Sequence, residues 1–386
     1  MENQLICLDF IGLYFEKVFT ILEFMRNAPE KAGHLGFMKM QTANTHKGPI
    51  DSAQGAIMGA LIGDALGLGC HWHYDINELR KDFGPWISDY TTSKTDRKDR
   101  FADIAEYRYN AGCRAGDVSQ TGQVFILLLE SLASQGTYDE NDFTARLDEF
   151  LNTIDGTPFS GRYTDMAMRD LWKHRKSGMD WPDTGSMGDT AEAAIRSTIL
   201  AAHYFQDPEE LAEAADRNIT LSHKEPYIVG QSISFALTVA ALIGSTPLEK
   251  LRKQMAGFAE YKSIMRKIPS FDLLIQVTNG AIAAKCKARI EPASLICQLN
   301  GLNCSLGVML PSAYYFIHRY PDNFEMAVLS AVNGGGNNMA RAALTGSLSG
   351  AMVGLSGIPK RFISGLNDHK RLLELAKKVA TSRRDK

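Results

Sequence analysis

Apolar positions recur along most of this chain at helical spacing. Between Gln54 and Asp75 the run Q-G-A-I-M-G-A-L-I-G-D-A-L-G-L-G-C-H-W-H-Y-D places Gly55, Gly59 and Gly63 four residues apart. Residues so spaced share one face of a helix. A face of glycines lets a second backbone approach closely, so this helix is expected to be central. Asp64 and Gly67 interrupt the apolar run, which predicts the helix end there. Cys70, His71, Trp72, His73, Tyr74 and Asp75 follow, crowding polar and aromatic groups into a loop of the kind that forms pockets.

A second apolar segment covers 115–136. It is apolar nearly all round from Val124 to Leu132, hence buried, with Gly136 as its C-terminal cap. Helical patterns follow over about 141–153, 164–178, 191–205, 208–218, 227–243, 248–267, 271–286 and 305–320. The polar stretch 91–100 carries alternating charge and no apolar period, which predicts a mobile surface loop. A third organising segment opens with the turn Asn333-Gly334-Gly335-Gly336-Asn337-Asn338 and continues as a helix over 340–354. Its Gly346, Gly350 and Gly354 mirror the spacing of the first helix. A terminal amphipathic helix covers 368–380. Alternating β-branched runs are almost absent, and no strand–helix alternation or fixed repeat is evident. The pattern predicts an all-α fold in one domain over 49–380.

The N-terminal 1–48 stand apart. Residues 5–24 are rich in Leu, Ile and Phe, but Asp9, Glu16, Lys17 and Glu23 interrupt them, and no signal-cleavage pattern follows. That favours an amphipathic helix over a membrane span. A polar, Gly- and Pro-bearing linker completes this extension, which is expected to lie outside the fold.

Charge narrows the function. Formal net charge is −2 over 386 residues with both signs interspersed, leaving no footprint for nucleic acid or an anionic membrane. Six scattered cysteines include no C-x-x-C pair; they read as reduced thiols of a cytoplasmic protein.

Three segments then carry a resemblance. G-A-x-x-G-A-L-x-G-D-A-L-G (Gly55 to Gly67), Leu221-Ser222-His223 ahead of Pro226, and Asn333-Gly334-Gly335 with the small-residue helix running to Ile358-Pro359 stand in the order of the ADP-ribosylglycohydrolase family. The motifs around Cys70–Asp75 and Gly334–Arg341 look more like its J1-crystallin and selenoprotein J branch. The resemblance implies a compact all-α fold with a cleft. There the bond between an ADP-ribose anomeric carbon and a protein side chain or small leaving group is hydrolysed. It also implies two magnesium ions, held by a Thr/Ser-Asp-Asp element and a Gly-Gly-Asp-x-Asp-Ser/Thr element.

At the chemistry this chain departs from that pattern. The closing aspartates fall on Gly336 and Asn338, and the aspartate pair of the earlier element aligns with Gly122 and Gln123. A dinuclear magnesium centre needs those carboxylates, so no metal and no cofactor is expected. The remaining candidates for acid, base or nucleophile are Asp64, Asp117, Cys70 and His71, each set against a plainer role. Asp64 could instead cap a helix. The Cys70–His71 pair could activate a thiolate or simply adjoin in a loop. Gly334, Gly335, Gly336, Asn337, Asn338 and Arg341 form a candidate phosphate cradle at a helix start, or else a tight turn needing positive φ. Asp189 is expected to cap the 191–205 helix, with Glu192 completing a capping box. His223 should fix a helix end, and Trp72 and Tyr74 either stack on adenine or fill core. Two readings stand. One is a hydrolase with a remodelled, metal-poor site acting on a small ADP-ribose-type ligand or a protein substrate. The other is an inactive ADP-ribose- or nucleotide-binding pseudo-enzyme or crystallin-like structural protein.

Overall fold

The two glycine-marked helices lie antiparallel, backbone against backbone. A β-carbon at Gly59 would fall on the carbonyl oxygen of Gly346, one at Gly55 on that of Gly350, and one at Gly63 on that of Ala342. Approach this close leaves no room for a β-carbon at these glycines and brings backbone into dispersion contact with backbone.

The computed structural model describes residues 48–268 and 290–382; the expectations for 1–47 and for a helix at 271–286 lie outside them. In chain order the helices are α1 (Pro49–Leu68), α2 (Ile76–Phe83), α3 (Ala102–Asn110), α4 (Gln120–Gln135), α5 (Glu140–Leu151), α6 (Met166–Lys176), α7 (Glu192–Tyr204), α8 (Pro208–Thr220) and α9 (Pro226–Ile243). They continue as α10 (Leu248–Phe258), α11 (Lys262–Met265), α12 (Ile296–Asn300), α13 (Leu306–Arg319), α14 (Phe324–Val332), α15 (Asn338–Val353), α16 (Lys360–Gly365) and α17 (His369–Thr381). No strand occurs among the described residues; an isolated bridge joins Ser186 to His223. The fold is all-α.

Helices α7, α9, α14 and α17 surround the α1–α15 pair. The pair itself is buried along almost its whole length. Helix α9 is long and apolar enough to cross a membrane, but it is 89% buried inside the domain, as a core helix should be.

Several local expectations are corrected. Helix α1 runs past Asp64 and Gly67 to Leu68. Gly67 continues the bare seam against Met339, and the Asp64 carboxylate is satisfied by a serine of another element. Helix α3 has no apolar period; its buried residues are Ala105 and Arg108. The stretch 91–100 is not a free loop, because Arg97 donates to the carbonyls of His71 and Trp72 at 2.9 Å each. The amphipathic pattern of 248–267 divides into α10 and α11. Ala191, not Asp189, is the N-cap of α7, and no side chain caps it.

Candidate active site

Four helix N-termini open onto one cavity of about 200 Å³. Ser119 caps α4, Asp165 caps α6 and Asn337 stands at the N-cap of α15; Thr190 and Glu192 flank the start of α7. All of these residues line the cavity. Helix N-termini carry partial positive charge and point their free amides outward, so their convergence favours an anionic ligand. Arg108, Arg162 and Arg169 line the same space and add full charges.

The walls also carry unspent polar atoms. Gln120 Oε1, Asn337 Oδ1 and Arg108 Nε are buried and have no partner within the protein. Their residues are 3%, 6% and 4% exposed. A buried polar group without a partner costs on the order of 1–3 kcal/mol, which a ligand or ordered water supplying the partner would offset. Burial lowers the Arg108 pKa to about 10, so it stays cationic at neutral pH. Its guanidinium lies 5.2 Å from the Trp72 ring and 5.4 Å from the Tyr163 ring.

Two carboxylates face the cavity in different electrostatic states. Asp165 is pushed well above the usual carboxylate range by burial and by the charge of Glu192. Burial pushes Glu192 upward as well, but hydrogen bonds from His223 and Thr190 outweigh it and hold the carboxyl below its usual range. Thr190 Oγ1 donates to Glu192 Oε2 and lies 3.0 Å from His223 Nε2. Ser222 Oγ lies 3.0 Å from His223 Nδ1 and accepts from Arg196 at 2.9 Å. The network closes when Thr190 spends its hydrogen on Glu192 and His223 carries its proton on Nε2.

The residues singled out from sequence divide. His71 and Asn337 line the cavity. His71 Nδ1 is 3.0 Å from Asn338 Oδ1, and burial, helped by nearby arginines, lowers its pKa well below the usual value, so the ring is neutral. Cys70 does not pair with it. Its thiol is fully buried, receives Asn338 Nδ2 at 3.1 Å, and is pushed up to about 11 by burial; it is a core thiol, not a thiolate. Asp64 lies behind the wall, holding Ser119. Asp117 lines a separate cavity of about 300 Å³ with Gln123 and Arg371, where Asn367 Nδ2 donates to it at 2.9 Å.

The glycine turn is no phosphate cradle. Gly335 and Gly336 have φ of 70° and 61°, conformations that favour glycine. Their amides and that of Asn337 are taken by the carbonyls of Val332, His73 and Leu302. Arg341 is fully buried and braces the turn, donating to Ala331 O at 3.2 Å and Gly335 O at 2.9 Å. His223 both ends a helix, its amide bonding Ile219 O at 2.9 Å, and reaches Glu192. At α4, the side chains presented to the cavity are Ser119, Gln120 and Thr121, whereas Gln123 faces the cavity behind. The cavity wall is therefore built from Ser119-Gln120-Thr121, and a Thr/Ser-Asp-Asp element facing it would put its aspartates on Gln120 and Thr121, two residues before Gly122 and Gln123. Sequence reasoning passed over Arg108, Gln120, Asp165 and Arg169. Asp165 had a usable signal: an aspartate directly before a helical pattern is also what a plain N-cap looks like.

This arrangement agrees with the comparisons to known proteins. Residues 45–386 match the ADP-ribosylglycohydrolase family, and the chain belongs to it. A protein of unstated function from Archaeoglobus fulgidus is 25% identical over 328 residues, 84% of this chain and 94% of that one. The ADP-ribosylarginine hydrolase Tri1 of Serratia proteamaculans is 23% identical over 341 residues, 86% of this chain and 79% of that protein. A solved structure described as an ADP-ribosylglycohydrolase-related protein complex superposes with a TM-score of 0.59 at 19% identity, covering 86% of this chain and 98% of that one; it has the same fold.

Proposed function

We propose that this chain, a cytoplasmic protein close to the J1-crystallin-like branch, binds an ADP-ribosyl group in the four-helix cavity. There it hydrolyses the bond between the anomeric carbon and a protein side chain or small leaving group, without the dinuclear magnesium centre of its family. The observation that carries the binding is the set of buried, unpartnered Gln120 Oε1, Asn337 Oδ1 and Arg108 Nε on a wall built from helix N-termini. A diphosphate suits the dipoles and arginines, and ribose hydroxyls can donate to the two amide oxygens. Kinship with an ADP-ribosylarginine hydrolase supports the substrate class.

The residues do not fit the two magnesium ions. Gly336 has no side chain, and a β-carbon there would lie 2.5 Å from Leu302 O. Asn338 spends its oxygen on His71 and its amide on Cys70 and Val332. Gln120 and Thr121 are neutral. Hard divalent cations take oxygen ligands with enough negative charge to offset dehydration, and these positions supply none. The same loss favours the second reading, a binder without turnover.

Thermal unfolding with ADP-ribose, with and without magnesium and with EDTA as control, tests the proposal, since a ligand of the native state raises Tm. The expected outcome is a rise that EDTA leaves intact. No rise at millimolar ADP-ribose removes the binding assignment, and a rise that requires magnesium removes the metal-free one.

A further inference from the structure

Resting on that reading of the cavity, we infer that Asp165 and Glu192 are its general acid and general base, doing with two carboxyl groups what the family's magnesium site does.

Three observations meet here. First, the two carboxyl groups reach the cavity from different helices: Asp165 from the N-cap of α6 and Glu192 from the first residue of α7. Second, their supports are unequal. The Asp165 Oδ1 accepts the backbone N–H of Met168 at 2.9 Å, which an N-cap carboxyl does in either protonation state. Glu192 is oriented by Thr190 and His223, and His223 in turn by Ser222 and Arg196. Third, a chamber of about 20 Å³ adjoins the cavity, and Gln120, Asp165, Glu192, Arg196 and His223 all border it. That volume holds about one water; the wall is mostly apolar, with the Asp165 and Glu192 carboxyl groups and the unpartnered Gln120 Oε1 as its polar points. Gln120 borders both spaces, and its buried Oε1 has no protein partner. That oxygen is an acceptor for a water at the junction.

The step balances without metal or co-reactant. Water in the chamber gives a proton to Glu192 as its oxygen bonds to the anomeric carbon. The bond from that carbon to the leaving nitrogen or oxygen breaks with its electron pair on the leaving atom. The leaving atom takes the proton of Asp165. Two carboxyl groups whose environments separate their ionisation are the signature of such a pair. Glu192, Cys304 and Tyr163 face Asp165 as negative or ionisable neighbours; Arg169 on its own helix, Arg162 and Arg108 line the same cavity as cations. Turnover should therefore decline toward alkaline pH as Asp165, its carboxyl raised by burial and by Glu192, loses its proton.

The test uses the full chain with arginine- and serine-linked ADP-ribose in EDTA, and ADP-ribose binding by calorimetry alongside. Expected are turnover in EDTA, a loss of about 10²–10⁴-fold in kcat for Glu192→Gln and for Asp165→Asn, and unchanged ADP-ribose affinity in both variants. Asp165→Asn should also lose the alkaline fall in rate and keep near-normal activity on an ADP-ribosyl nitrophenolate, whose leaving group needs no proton. The assignment is overturned by wild-type kcat in either variant, by turnover that requires magnesium, or by ADP-ribose binding with no turnover of any conjugate. Absence of ADP-ribose binding instead overturns the reading of the cavity on which it rests.

Discussion

Ser119 donates both its backbone N–H and its hydroxyl to Asp64, each at 2.6 Å. The same hydroxyl accepts the N–H of Gly122 at 3.3 Å. A carboxylate near the C-terminal end of the central helix thus fixes the start of α4 and, with it, Gln120 and Thr121 at the cavity wall. Asp64→Ala should leave a buried amide and hydroxyl unpaired, lowering stability by about 2–4 kcal/mol and weakening ADP-ribose binding. Burial outweighs the Ser119 bonds and raises Asp64 from 3.8 to about 6. Between those values the folded protein keeps a proton that the unfolded chain has lost. Stability therefore falls as pH rises from about 4 to 6, by roughly 3 kcal/mol from this group, and is flat above. Urea unfolding of wild type and Asp64→Asn across that window checks the sign: the variant should lack this decline.

The seam between α1 and α15 predicts opposite effects for one kind of substitution. Gly59→Ala places a methyl group on the Gly346 carbonyl, with backbone on both sides and nothing able to yield. A loss of at least about 3 kcal/mol is expected, at or beyond the usual range for overpacking. Gly257, in α10, has open space at its β position. Gly257→Ala should raise stability by about 0.5–1 kcal/mol through helix propensity and a less flexible unfolded chain. Chemical denaturation of both variants decides the matter, and equal effects would mean the helices are not in register as described.

That seam was also the most legible part of the sequence. Glycines at i, i+4 on two separate apolar segments announce two bare faces, and two bare faces have reason to meet. The site was harder to read because position along the chain does not encode direction. Cys70 and His71 adjoin in sequence, yet the thiol turns into the core and the imidazole toward the cavity. Asp117 and Ser119 are two residues apart, yet they open onto different cavities. Asp165 and Glu192 face one space from separate helix starts, and each reads locally as capping chemistry. The turn at 334–337 was visible as a turn, but His73 and Leu302, which accept the amides of Gly336 and Asn337, are set by tertiary contacts.

Thiol reactivity offers a direct check on the placement of three cysteines. Cys70 and Cys297 are fully buried, and burial raises both thiols. Cys304 is exposed and lines the cavity, its thiol raised by burial of part of the group and by Glu192 and Asp189. Alkylation with iodoacetamide at pH 8, followed by peptide mass spectrometry, should modify Cys304 in the native protein and the other two after unfolding. ADP-ribose in the cavity should protect Cys304. Rapid native labelling of Cys70 would contradict its placement in the core.

Restoring the family's aspartates should not restore a metal. Gly336→Asp requires a side chain at φ 61° and a β-carbon against Leu302, so the turn must shift before any carboxylate points at the cavity. Asn338→Asp keeps an acceptor for His71 but removes the amide that donates to Cys70 and Val332, leaving a buried charge with one neutral partner. Each change should cost about 2–4 kcal/mol. The double variant should unfold at lower temperature, and added magnesium should move its Tm no more than it moves wild type. A rise in Tm of the double variant that grows with magnesium concentration would mean that the ancestral geometry survives and that the missing carboxylates alone separate this cavity from the metal-dependent one.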